Sequence, residues 1–185
     1  MAIIGIDNGA TGTIGFICKS CYEFYETPSY LTYDYQKSKN KRFSRLEFFR
    51  YLELLKNFKQ KAKDNNETII AYIERPLINP LMLNASLGAI RCHEAELIGL
   101  EMLEIPYLFI DSKNWQHELL PKGLSSKKQE EGRKKPTNEL KKASLDLAIK
   151  LFPLCRETIE KHKDGDGLLI ARYGKIKENE EWLIK

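Results

Sequence analysis

The stretch Ile3-Ile4-Gly5-Ile6-Asp7-Asn8-Gly9-Ala10-Thr11-Gly12-Thr13-Ile14-Gly15-Phe16-Ile17 constrains the fold more than any other part of the chain. Two short runs of apolar and β-branched residues flank a glycine-rich turn, which predicts an antiparallel hairpin with one carboxylate, Asp7, where the first strand ends. A strand with no charge before that point belongs in the centre of a sheet, so Asp7 stands where core gives way to solvent. That position suits a metal ligand, and it also suits an Asx-type turn before Asn8-Gly9. The glycines spell neither G-x-G-x-x-G nor G-x-x-x-x-G-K-[ST], and Thr13–Ile17 reads as a return strand where a dinucleotide turn would open a helix. No nucleotide cofactor is expected.

Further carboxylates fall at comparable places. Thr68-Ile69-Ile70-Ala71-Tyr72-Ile73 reads as a strand that ends directly on Glu74-Arg75-Pro76. Ile105 to Ile110 reads as another, ending on Asp111-Ser112; Asp111 there has the position of a ligand, but the Asp-Ser pair is more simply the cap of a helix containing Trp115, Leu119 and Leu120. Near the end, Asp164 and Asp166 open an apolar helix, with Gly165 and Gly167 leaving room for close approach. Capping explains one aspartate at a helix start but does not easily explain two.

The remaining elements follow from periodicity. Cys21–Glu26 is predicted as a third strand, and Tyr30–Tyr35 as its extension or an edge strand. Lys37–Arg42 is read as a loop, and Ser44 as the cap of a helix containing Leu46, Phe49, Leu52, Leu55 and Phe58, closed by Asp64-Asn65-Asn66. Met82–Leu103 reads as a long helix with small residues at Ala85, Ser86, Gly88 and Ala89, a face able to pack on the sheet or on a second copy of the chain. Within it, His93 beside Glu94 and Glu96 is read as an ordinary packing residue. A basic loop around 121–137 lacks periodicity and is either disordered or substrate-binding. Asn138–Phe152 resumes as a helix stopped by Pro153, and Cys155–Glu160 is left unassigned. A meander followed by strand-helix alternation predicts an α/β fold in one domain over 1–185, its mixed sheet antiparallel in the first three strands and parallel to the first strand thereafter.

Composition narrows the function classes. No apolar run approaches about 18 residues, so no membrane span is expected, and the start of the chain lacks the basic region and long apolar core of an export signal. Cys18 and Cys21 form one C-x-x-C without a second cysteine or histidine pair, while Cys92 and Cys155 stand alone, so reduced thiols are expected rather than zinc. The net charge of +4 is uneven: residues 37–63 carry ten lysines and arginines against two glutamates, and residues 113–142 carry nine against four. Two basic segments beside an acidic centre suggest a surface facing a polyanion.

Taken together, I-x-G-I-D-x-G at Ile4–Gly9, I-E-R-P at Ile73–Pro76, and K-x-D-x-D-G-L-L-I-A-x-Y-G at Lys161–Gly174 resemble the RuvC-type Holliday-junction resolvases, in particular small phage-like members. The resemblance extends through Ser86 to Glu101, Ile105 to Gln116 and Leu140 to Pro153. It implies an RNase-H-like fold, a homodimer, divalent-metal-dependent cutting of branched DNA, and the cytoplasm of a bacterial or phage-infected cell. Carried over residue by residue, it marks Asp7, Glu74 and Asp166 as metal ligands. The family's extra acid or histidine falls at Lys163, so Asp164 takes the fourth place in our reading, with His162 as the alternative.

Clustered acids also have a chemical rationale of their own. Attack of water on a phosphodiester needs a nucleophile of lowered pKa and compensation for growing negative charge, which two divalent ions about 4 Å apart supply. Oxygen ligands suit Mg²⁺, with Mn²⁺ as a substitute, two ions per site. Arg75, Lys113, Lys122, Lys127, Lys128, Arg133, Lys134, Lys135 and Lys163 are the candidate DNA contacts, holding phosphates without reading bases. The alternative is a non-catalytic protein that binds branched nucleic acid on the same fold. A sugar-kinase-like reading fails on size, since such enzymes need two lobes of this length.

Overall fold

The computed structural model describes residues 1–33, 42–122, 124 and 138–178. Its strands are β1 (Ala2–Ile6), β2 (Thr13–Ile17), β3 (Tyr22–Glu26), β4 (Ser29–Tyr33), β5 (Arg42–Leu46), β6 (Ile69–Glu74) and β7 (Tyr107–Ile110). Five form one mixed sheet in the order β3-β2-β1-β6-β7. β1, β2 and β3 are antiparallel neighbours, whereas β6 is parallel to β1 and β7 is parallel to β6. This is the predicted arrangement, with β1 central and wholly buried.

Alternation along β1 assigns its side chains to two cores. Ile4 and Ile6 face α1 (Phe48–Asp64) and α2 (Leu83–Met102), packing with Tyr51, Leu55, Phe58, Cys92 and Leu100. Ile3 faces the opposite layer, built from α3 (Ser112–Leu119), α4 (Asn138–Leu151), α5 (Arg156–His162) and α6 (Asp166–Lys177), together with Trp115, Phe152 and Leu168–Ala171. The same two-residue period carries Asp7 over the α6 layer.

α6 lies unusually close to the sheet because three glycines meet there. Gly5 and Gly15 are paired across β1 and β2. A β-carbon on Gly5 would stand 2.1 Å from the Gly167 carbonyl oxygen, and one on Gly15 would stand 2.5 Å from the Leu168 α-carbon. Only hydrogen at these positions lets the first turn of α6 rest on the backbone of both strands. That contact brings the start of α6 to the end of β1.

Three sequence expectations are corrected. Ser44 caps no helix: it lies in β5, opposite Leu31 of β4, and these two strands form a separate hairpin. The apparent helical spacing of Leu46 and Phe49 was misleading, because Phe49 is 79% exposed and the buried face of α1 is Tyr51, Leu52, Leu54, Leu55, Phe58 and Ala62. Glu47 precedes that helix instead. Tyr30–Tyr35 likewise extends no main-sheet strand, because its described part pairs with β5. Finally, Cys18 and Cys21 are joined by a disulfide rather than reduced. The β2–β3 turn sets their α-carbons 5.1 Å apart and lets Cys18 N–H donate to the Cys21 carbonyl at 2.8 Å, a separation a disulfide spans. Cys92 and Cys155 are free. The unassigned stretch after Pro153 folds as a 3-10 turn, Pro153–Cys155, and then α5. The basic loop around 121–137 falls largely outside the described residues.

Candidate active site

Asp7 and Glu74 sit at the C-terminal ends of adjacent parallel strands, since Ile6 is in register with Ile73. Asp164 and Asp166 reach the same place from the start of α6. Burial is the main cause that holds the Asp7 carboxyl well above the usual carboxylate range, followed by the charges of Asp164, Asp166, Glu74 and Glu96. Burial also raises Glu74, and Asp164 adds to the effect. Asp166 is pushed up to about 7 by burial, then by Asp164 and Glu74, while Ser144 and Lys141 oppose the shift. Asp7, Glu74 and Asp166 are thus poorly solvated, and the charge of Asp164 acts on all three.

Three of the four carboxylates accept from a neutral donor. Trp115 donates its indole N–H to Glu74 Oε2 at 2.9 Å. Ser144 donates its hydroxyl to Asp166 Oδ1. Asp164 Oδ1 accepts the Asp166 backbone N–H at 2.9 Å, closing the turn into α6. Thr13, fully buried, accepts the Gly167 N–H at 2.9 Å on its hydroxyl and the Asp7 N–H at 2.9 Å on its carbonyl, so one residue ties the Asp7 turn to the helix that carries Asp166.

His162 is placed elsewhere. It ends α5 with Nδ1 3.5 Å from Glu26 Oε1 and its ring edge-on to Phe24. Lys163 follows in the left-handed conformation (φ 63°) and is exposed. Asp111 is corrected as well: it occupies the position before α3 without capping it, because its Oδ1 accepts from Arg75 at 3.0 Å, a charged donor stronger than a backbone N–H. Arg75 also lies over the Phe109 ring. Lys113 and Lys122 are exposed, and Lys127, Lys128, Arg133, Lys134 and Lys135 lie outside the described residues.

Sequence reasoning missed Thr13, Trp115, Ser144 and Lys141 as supports of the acids. Ser144 and Lys141 are three apart on α4, a spacing that places both on one helical face, but nothing in the sequence says that this face meets Asp166. Glu96 was seen only as a neighbour of His93. Its spacing of four from both Cys92 and Leu100 puts it on the buried face of α2, which is the signal that could have found it.

The donor set fits a hard divalent cation in chemistry: all four groups are carboxylates, and burial with neighbouring charge raises the proton affinity of Asp7, Glu74 and Asp166, a strain that a cation relieves. Among the described residues, however, no three acid, cysteine or histidine side chains converge closely enough to form a ready cage. Ser144, Trp115 and the α6 backbone hold the carboxylates instead.

No protein-family model and no curated protein matches the chain. Among solved structures, it is similar to T. thermophilus RuvC in complex with a Holliday junction substrate, with a TM-score of 0.56 at 11% identity over 96% of both chains. A Thermus thermophilus RuvC structure also matches, with a TM-score of 0.46 at 14% identity over 97% of both. At such identities the likeness concerns the fold. The sheet order, the antiparallel first three strands and the helices on both faces identify that fold: the chain has the RNase-H-like architecture found in RuvC.

Proposed function

We propose that the protein is a metal-dependent, structure-selective endodeoxyribonuclease that cuts four-way and related branched DNA junctions. The observation that carries the reading is the approach of Asp7, Glu74, Asp164 and Asp166 at the ends of β1 and β6 and the start of α6, where burial and neighbouring charge raise Asp7, Glu74 and Asp166, on a fold whose solved relative holds a Holliday junction. In this reading the four carboxylates hold two Mg²⁺ ions, with Mn²⁺ as substitute. When bound, the ions would lower the pKa of the attacking water and offset charge on the phosphate and leaving oxygen. Trp115 and Ser144 keep Glu74 and Asp166 aimed into the pocket, and Thr13 fixes the distance between β1 and α6. Lys141, Lys163, Lys113 and Lys122 lie on the described surface as candidates for flanking phosphates, and Arg75 would have to exchange Asp111 for a phosphate.

A homodimer belongs to the same reading. α2 exposes Leu83, Leu87, Ile98 and Met102 along one side, and two sites related by a two-fold axis match the near-symmetry of a four-way junction. Sedimentation with and without junction DNA tests it, and a monomer under both conditions would remove it. No described helix is long and apolar enough to cross a membrane. We place the protein in the cytoplasm of a bacterial or phage-infected cell, as a single domain over 1–185.

The deciding assay incubates the protein with Mg²⁺ or Mn²⁺ on immobile and mobile four-way junctions and on linear duplex. Cutting confined to junctions is expected; absence of any nick across wide metal, pH and salt ranges would overturn the nuclease reading. Two observations favour a second reading, a non-catalytic binder of branched DNA. The carboxylates form no ready cage, and Lys163 holds the position where the family carries an extra ligand. Tight junction binding without cutting would select it.

A further inference from the structure

A cavity of about 290 Å³ opens beside Glu74, between the stretch that follows β6 and the first half of α2. Its apolar walls are Pro76, Leu77, Met82, Ala85 and Ala89, and its polar lining comes from Asn8, Glu74, Arg75, Asn79 and Ser86. The loop over it is braced. Ser86 Oγ accepts the Asn79 N–H at 2.9 Å and donates to the Asn79 carbonyl at 3.1 Å, while Asn79 Oδ1 accepts the Leu81 N–H at 3.0 Å. The space is therefore built into the fold, and the exposed Leu77 and Met82 leave it unfilled.

Most polar side chains there already have partners: Glu74 accepts from Trp115, Arg75 donates to Asp111, and Asn79 and Ser86 hold the loop. Asn8 differs. Both polar atoms of its carboxamide are buried and have no hydrogen-bond partner among the described residues, a state that costs free energy at both ends. An asparagine in a turn ordinarily bonds nearby backbone, and this one does not. Turning its amide toward the cavity would break no bond.

An occupant has to suit apolar walls, a carboxylate on one side, and an amide that offers a donor and an acceptor together. A phosphate gains nothing from such walls and is repelled by Glu74. A nucleobase meets all three conditions, because it is flat and uncharged and its edge sets a donor beside an acceptor, the pattern that asparagine reads. The volume lies at the lower end, about 300 Å³, of pockets for drug-sized ligands, which leaves room for one base and not for a base pair. Extruding a base costs least where pairing is already interrupted, as at a branch.

We propose that this cavity is a subsite for one unpaired nucleobase of the DNA held at Glu74, with Asn8 turning to read its edge. The proposal rests on the reading of the protein as a binder of branched DNA and does not require cutting.

The test places 2-aminopurine, which fluoresces brightly when unstacked, at each position in turn around the branch of a four-way junction. Protein is added to saturation in EDTA, and saturation is confirmed by gel shift. Among the described residues no aromatic ring lines the cavity to quench the probe, so one position should brighten. Asn8→Ala, which removes the reading group, and Ala89→Leu, which fills the space, should each reduce that brightening. Wild type should also prefer one natural base at that position by roughly tenfold in junction affinity, and Asn8→Ala should lose the preference. If Asn8→Ala or Ala89→Leu does not fold, Asn8→Ser or Ala85→Leu takes its place. A saturated junction that brightens nowhere would overturn the inference, as would brightening that either variant leaves intact. If wild type binds no junction, the branched-DNA reading fails and takes this inference with it; if wild type binds and brightens but never cuts, only the nuclease claim fails.

Discussion

Trp115 donates its indole N–H to Glu74 Oε2 at 2.9 Å, and the ring is fully buried in the layer that also contains α6. A core residue thus also aims a carboxylate of the site. Trp115→Phe keeps most of the packing but removes the donor. It should lower stability by about 1–3 kcal/mol, the cost of a lost hydrogen bond to a charged group plus a small cavity. Single-turnover junction cleavage should fall by roughly tenfold while junction binding is retained. Chemical denaturation and a gel-shift assay separate the two effects, and an unchanged cleavage rate would show that Glu74 needs no orienting donor.

Gly5 and Gly88 offer a paired test of the packing. A β-carbon on Gly5 meets backbone atoms of Gly167 and Ala171, which cannot yield, whereas one on Gly88 meets nothing within 4 Å. Gly5→Ala should therefore destabilise by about 3 kcal/mol or more, if it folds at all. Gly88→Ala lies inside α2 and should stabilise by about 0.5–1 kcal/mol through helix propensity. Urea midpoints of the two variants against wild type check both signs.

The raised carboxyl pKa values make a signed prediction for stability. Burial pushes Asp166 from 3.8 up to about 7 and Glu96 from 4.5 up to about 7. The folded state therefore binds these protons more tightly than the unfolded state. The resulting stabilisation is fully present below the ordinary carboxyl range and is lost as pH rises through about 7. In EDTA the melting temperature should fall between pH 5 and pH 8, and Asp166→Asn should lessen that fall. Added Mg²⁺ binds the deprotonated groups and should help more at pH 8 than at pH 5. A metal-free profile that is flat or rises over this interval would contradict the crowding of the acids.

The main sheet was legible in the sequence because its strands are continuous apolar runs that end on recognisable punctuation: Asp7-Asn8-Gly9, Glu74-Arg75-Pro76 and Asp111-Ser112. Placement of Asp7 and Glu74 at strand ends followed from that alone, whereas the pairing of β1 with β6 that makes those ends neighbours is seen in the structure. The β4–β5 hairpin was not legible, because its residues are largely polar or exposed and Phe49, at 79% exposure, imitates a helical core position. The supports of the acids were hidden for another reason. Trp115, Ser144 and Thr13 meet Glu74, Asp166 and Gly167 across 22 to 154 positions of sequence, and no local pattern records such a contact. The Cys18–Cys21 bond is local, and there the mistake lay in arguing from compartment instead of from the turn between β2 and β3.

In the proposed metal site the fourth ligand is Asp164 or His162, and the two stand in different surroundings. Asp164 precedes α6, acts on the proton affinity of Asp7, Glu74 and Asp166, and spends only Oδ1 on the Asp166 N–H. His162 ends α5 with its ring against Phe24 and Nδ1 toward Glu26. Asp164→Asn keeps a carbonyl oxygen to accept the Asp166 N–H, so α6 should start as before while one negative charge leaves the site. Junction cleavage should then be lost with binding retained, matching Asp7→Asn, Glu74→Gln and Asp166→Asn. His162→Ala should cost a modest amount of stability and leave cleavage within about threefold, because it removes packing at the sheet edge and no ligand. Loss of cleavage in His162→Ala, while Asp164→Asn stays active, would transfer the fourth position to His162 and require α5 to turn toward Asp7 when metal binds.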